Sequence, residues 1–123
     1  MKALINSVRL MGRLGMDPEM KLFDNNRKLA RTSLATNEVR RTGSGEKVTD
    51  AQWHNLVLWG NNAEIAEKYL KKGKEIAVEG RLTTRSFTDR EGRKHFVTEI
   101  VVNELLMITK KEQEEKELAA EAV

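Results

Sequence analysis

Three observations in this 123-residue chain predict an all-β domain carrying one helix. Apolar and polar residues alternate with a period of two over most of its length. A single stretch near residues 61–73 has helical spacing with start and stop residues around it. Glycines are set within the alternating segments as well as between them.

The elements follow in order. In the first strand Val8, Leu10, Gly12 and Leu14 share one face, with Arg9, Met11 and Arg13 on the other. Gly15-Met16-Asp17-Pro18 breaks it, since proline lacks an amide donor and glycine permits the turn. A second strand is predicted over about Arg27–Glu38, where Ala30, Thr32, Leu34 and Thr36 alternate against Leu29, Arg31, Ser33 and Ala35. The polar, glycine-bearing segment Val39–Lys47 reads as a mobile, positively charged loop. The third strand, roughly Asp50–Gly60, carries both tryptophans.

Next comes the helix. Asn61 is expected to cap it, with Glu64 completing a capping box and Gly73 supplying a left-handed stop. Ile65, Ala66, Tyr69 and Leu70 form its expected buried stripe. A fourth strand alternates Ile76, Val78, Gly80 and Leu82, and a hairpin tipped by Asp89-Arg90-Glu91-Gly92 leads into a fifth, about His95–Ile108. Three strands, one helix and two strands is the order of a five-stranded OB-fold barrel with its helix between strands 3 and 4. An open meander with the helix on one side shares the same pattern. The barrel is assigned to residues 1–109, and the Glu- and Ala-rich stretch 110–123 to a frayed helical or disordered tail.

Composition narrows the function. Lys and Arg number 22 against 19 Asp and Glu, a net charge of +3. The tail holds three lysines against five glutamates, so residues 1–109 carry +5. A modestly basic domain attracts polyanions. With no cysteine, disulfides and thiolate metal sites are excluded. No stretch approaches the roughly 20 apolar residues of a membrane helix, so a soluble cytoplasmic protein is expected. Catalysis finds no support. His54 and His95 stand singly in strands, no carboxylate cluster is legible, and no phosphate-binding glycine loop follows a strand. No cofactor and no metal are expected.

The third strand carries the functional signal. Alternation places Trp53, Asn55, Val57 and Trp59 on one face and His54, Leu56 and Leu58 on the other. Two indoles about 20 Å apart on one face would span a few extended nucleotides. Each base stacked on an aromatic ring contributes ~1–3 kcal/mol, whatever the base. The pattern alone leaves core and platform open for both tryptophans. The aliphatic opposite face, which already supplies a core, and the flanking basic residues favour a platform. Phe87, next to Arg85 near a hairpin tip, suits either a stacking finger or a local contact with Phe96 or His95. Arg40, Arg41, Lys47, Lys71, Lys72 and Lys74, with Arg85, offer phosphate contacts along a track beside the aromatics.

From Asn6 to Asn103 the chain resembles the DNA-binding domain of the bacterial single-stranded-DNA-binding proteins. The resemblance rests on Val8–Glu19, Leu34-Ala35-Thr36, Trp53–Gly60, Ala66–Gly73, Val78–Leu82 and Thr98–Asn103 in that order. It implies a homotetramer of OB folds that wraps single-stranded DNA and serves replication, recombination and repair without catalysis. Trp53 matches the family's stacking tryptophan, Trp59 stands where phenylalanine is usual, and Phe87 replaces a stacking tryptophan of the hairpin. Arg40 occupies the place of a further loop tryptophan, exchanging a stack for a phosphate or cation–π contact. His54 matches a histidine of the family's subunit interface. The family's glycine- and proline-rich tail with its acidic, phenylalanine-tipped end is not matched by Glu117–Val123, so recruitment of repair and replication enzymes through that tip is not expected. This departure suits a specialised paralogue, for example from a mobile element or phage, or a protein that coats DNA without acting as a hub. Competing readings are an OB-fold interaction module of primosome assembly that touches DNA weakly, an OB-fold nuclease, and an RNA-binding protein.

Overall fold

A computed structural model describes residues 2–108; the expected tail, 110–123, lies outside them. After a short helix α1 (Lys2–Ile5) come β1 (Val8–Leu14), β2 (Glu19–Leu22), β3 (Lys28–Arg41) and β4 (Lys47–Trp59). Helix α2 (Asn61–Tyr69), β5 (Glu75–Thr88) and β6 (Lys94–Met107) complete the order. The strands lie in the sequence β1-β5-β6-β4-β3-β2, and a further β1–β3 pairing closes the sheet on itself. All pairings are antiparallel except β4–β6, where Leu56 meets Ile100 and Val57 meets Val101. The barrel of β1, β3, β4, β5 and β6 is the five-stranded architecture expected.

The short β2 was not anticipated. It pairs with β3 through Glu19–Arg31 to Leu22–Lys28 and makes six strands in all. Counted with it, the helix lies between the fourth and fifth strands rather than the third and fourth, although its neighbours in sequence are those expected. Closure requires close backbone approach at Gly12, where a Cβ would collide with the Ala35 carbonyl.

Alternate residues of each strand fill the interior. Leu14, Leu34, Leu56, Leu58 and Ile76 are fully buried, joined by Val78, Ile100 and Val102. Helix α2 seals one end with Ala63, Ala66 and the following Leu70. Small alanines let its backbone approach closely, and the Asn62 side chain donates to the carbonyls of Val102 and Asn103. Two expectations for this helix are corrected. Gly60, with φ 58°, turns the chain so sharply after Trp59 that Asn61 is already helical and caps nothing; Gly60 takes the cap position without a side-chain bond. The buried stripe is accordingly Ala63, Ala66 and Leu70, while Ile65 is only half-buried and Tyr69 is exposed. Gly73 does adopt positive φ, but in a turn beyond the helix end, where its N–H donates to the Leu14 carbonyl.

The segment Val39–Lys47 is also corrected. Val39, Arg40 and Arg41 continue β3, paired with Thr49, Val48 and Lys47, and only Thr42–Glu46 forms the turn. The two strands extend past the barrel as a paired arm. With no core to cover, that arm has one valine on each face, Val39 and Val48, and no continuous apolar face, which makes it read like a loop.

Candidate nucleic-acid interface

The outward face of β3, β4 and the β5–β6 hairpin gathers most of the aromatic and basic residues singled out in the sequence. Trp53 pairs with Ala35 and lies over Gly15, where any Cβ would collide with its indole. Glycine thus opens the seat for the ring, which remains 64% exposed. Tryptophan is seldom left this open in a core position. The ring is not part of the core.

Trp59 is on the same face, as alternation requires, but in a different setting. It is half-buried; the Phe23 ring stacks on it at 5.7 Å and 26°, and the Arg27 guanidinium lies 4.6 Å from its centre. Both partners come from the β2–β3 turn, which is closed by the Phe23 N–H bond to the Arg27 carbonyl. Phe23, which the sequence did not single out, extends the aromatic surface at this end and carries Lys21 at 5.1 Å.

Phe87 faces His95 across the hairpin, with the rings stacked at 5.1 Å and 20°. It is 43% exposed, and the Arg85 guanidinium sits 5.9 Å from its centre. The cross-strand contact with His95 is made, and the ring it fixes stays accessible. His95 in turn bonds Asp89 Oδ2 through Nε2 at 2.7 Å. That bond, with the N–H groups of Arg93 and Glu91, holds the Asp89 carboxyl below the usual aspartate range. Phe96, the other expected partner of Phe87, pairs with Ser86 instead and is 69% exposed with Lys94 at 5.4 Å.

The cations divide by partner. Arg40 is bonded to Asp50 at 2.6 Å, so its charge is offset locally. Arg41 and Lys47 pair across the exposed end of the arm. Lys71 and Lys72 lie in the exposed turn after α2, and the Lys72 N–H donates to Asp17 Oδ1 at 2.8 Å. Gly73 of this turn bonds Leu14, so one segment, 14–17, carries both the lysine turn and the seat of Trp53. Arg85 donates to Glu99 Oε1 at 2.8 Å. His54 is half-buried and shares a hydrogen bond with Thr36 Oγ1 at 2.9 Å.

Among the described residues no cluster of His, Asp and Glu could hold a metal ion, and no helix is long and apolar enough to cross a membrane. An open sheet face with accessible rings and peripheral cations can stack planar ligands and attract their phosphates. The model of the Single-strand binding protein family matches residues 5–108. The chain is 37% identical over 115 residues to Single-stranded DNA-binding protein 1 of Xylella fastidiosa (strain 9a5c), covering 93% of this chain and 85% of that protein. Its fold is similar to that of the Plasmodium falciparum SSB in complex with single-stranded DNA. The TM-score is 0.78 at 32% identity, over 85% of this chain and 96% of the other.

Proposed function

The chain belongs to the single-strand binding protein family, and we propose that it holds single-stranded DNA on the β3–β4 face with little dependence on sequence. The family is non-enzymatic, and binding is the whole of the activity. The observation that carries this reading is Trp53, a large ring seated on Gly15 with most of its surface open. A base stacked there needs no particular donor or acceptor, because every base has a π-face. Phe87, braced by His95, supplies a second stack, and Trp59 joined by Phe23 a third. Arg41, Lys47, Lys71 and Lys72, with Arg40 and Arg85 partly offset by carboxylates, track the phosphates and release counterions.

The reading extends to a homotetramer acting in replication, recombination and repair, in the cytoplasm at the nucleoid. An open groove of about 590 Å³ on the outer side of β1, β5 and β6, lined by Met11, Ala77 and Leu106 among others, supports self-association. His54 is the residue we place against a neighbouring subunit. Sedimentation of the full chain with and without a long oligonucleotide reads the assembly.

The test of binding is a titration with oligo-dT followed by tryptophan fluorescence. Strong quenching, weakened steeply by salt, is the expected result. Absence of quenching, or binding indifferent to salt, overturns stacking in a charged groove.

A further inference from the structure

A groove of about 250 Å³ lies on the proposed DNA face, lined by Arg31, Ser33, Asn55, Arg85 and Glu99 among others. Its charges do not suit a phosphate. Arg31 and Arg85 are matched by Glu99 and by Glu19 at the rim, so the groove is close to neutral. Its polar groups instead offer donors and acceptors side by side. The Glu99 side chain is only 9% exposed and holds two guanidinium groups, Arg85 Nε at 2.8 Å and Arg31 Nε at 4.0 Å. Both contacts use Oε1, leaving Oε2 to accept a further hydrogen bond. Arg31 Nε is buried and has no hydrogen-bond partner. That atom is enclosed, but the side chain as a whole is 42% exposed, so the outer N–H groups of its guanidinium are the donors open to a ligand acceptor.

We propose that this groove reads a base edge, favouring bases with an exocyclic amine beside a ring acceptor over thymine at one position of the bound strand. The inference rests on the single-stranded-DNA reading above. Cytosine shows the chemistry: its N4 amine donates to the Glu99 carboxylate, the contact expected of a carboxylate with this base. Its N3 then accepts from an outer N–H of the Arg31 guanidinium. Thymine inverts both groups, turning the O4 oxygen toward the carboxylate and an N–H toward the guanidinium. Such a mismatch disfavours the wrong base by leaving desolvated polar groups unpaired. Stacking on Trp53 and Phe87 supplies sequence-tolerant affinity, and Glu99 adds a local preference to it.

The experiment compares oligo-dC and oligo-dT of equal length, at one salt concentration, with the full chain and with Glu99→Gln and Arg31→Gln. Glutamine keeps the size of Glu99 but can turn an amide donor outward. Glu99→Gln is expected to lower dC affinity relative to dT by about fivefold to tenfold, the lower end of the range for one lost specific base contact. Arg31→Gln is expected to shift the ratio the same way by less. Because Nε of Arg31 makes no hydrogen bond, this variant decides the matter if Glu99→Gln fails to fold. Parallel changes toward dC and dT, or none, overturn base-edge reading while leaving DNA binding intact. Failure of the unmodified protein to bind either oligonucleotide overturns the reading beneath it.

Discussion

Trp53 and Trp59 occupy one face of one strand, six positions apart, and their surroundings assign them different work. At the Trp53 end a glycine removes the side chain that would crowd the ring, and the indole stays open. At the Trp59 end Phe23 and Arg27 lie against the indole, and the pair closes the β2–β3 turn onto the sheet. The lesson is that strand alternation determines direction, whereas availability is decided by what arrives from elsewhere in the chain. One ring is left open; the other is tied into the fold.

The largest expected effect tests this division directly. Trp53→Ala should lower affinity for oligo-dT by ~1–3 kcal/mol with little change in thermal stability. Trp59→Ala should show the reverse emphasis, costing ~2 kcal/mol of stability through a lost, half-buried aromatic contact, with a smaller loss of DNA affinity. Paired melting and fluorescence titrations read both quantities. Equal affinity losses with equal stability losses would erase the contrast.

A subtler change sharpens it. Gly15→Ala leaves Trp53 in place chemically but puts a methyl group where the indole rests. The ring must lift or rotate, so affinity should fall about fivefold, part of one stack, while the barrel core is untouched. No affinity change in the titration would mean that Trp53 tolerates another seat.

Sequence alone carried much of this architecture. Alternation located the barrel strands, put Leu34, Leu56 and Leu58 inward and set Trp53 and Trp59 on one outward face. It failed where structure is non-local or local geometry is unusual. Residues 39–41 looked like a loop because a paired arm beyond the barrel buries neither face. Phe23 meets Trp59 only after β3 folds back on β4, so no short-range spacing announces the pair. Glu99 reads as an outward polar residue of its strand, yet arginines from β3 and β5 converge on it and bury it. The helix cap was misplaced because Gly60 takes a conformation that most residues avoid.

The same comparison extends to the charges around the two rings. Arg41 and Lys47 stand exposed on the arm, so replacing either with alanine should flatten the slope of log affinity against log salt by about 0.7, the single-strand value per phosphate contact. Arg40 is already matched by Asp50, so Arg40→Ala should change the slope less and affinity less than Trp53→Ala. A slope change for Arg40→Ala equal to that for Arg41→Ala would show that DNA draws Arg40 away from Asp50.

The smallest effect concerns the hairpin that presents Phe87. Asp89 accepts from the His95 ring and from the N–H groups of Glu91 and Arg93, and these bonds depress its pKa, the His95 bond most. A carboxyl whose folded pKa lies below its unfolded value stabilises the folded hairpin fully above the unfolded pKa. That contribution disappears as pH falls through the folded one. The expected signature is an Arg93 amide resonance that titrates with a midpoint below the ordinary aspartate range. Loosening of the 89–93 turn should accompany it, while the Trp53 signal stays constant. Asp89→Asn, which removes the charge, should abolish the titration and weaken the His95 contact that braces Phe87. The DNA loss it causes should then be slight and confined to strands long enough to reach the hairpin. A comparable loss on short strands held at Trp53 alone would show that the hairpin and the Trp53 seat form a single coupled surface.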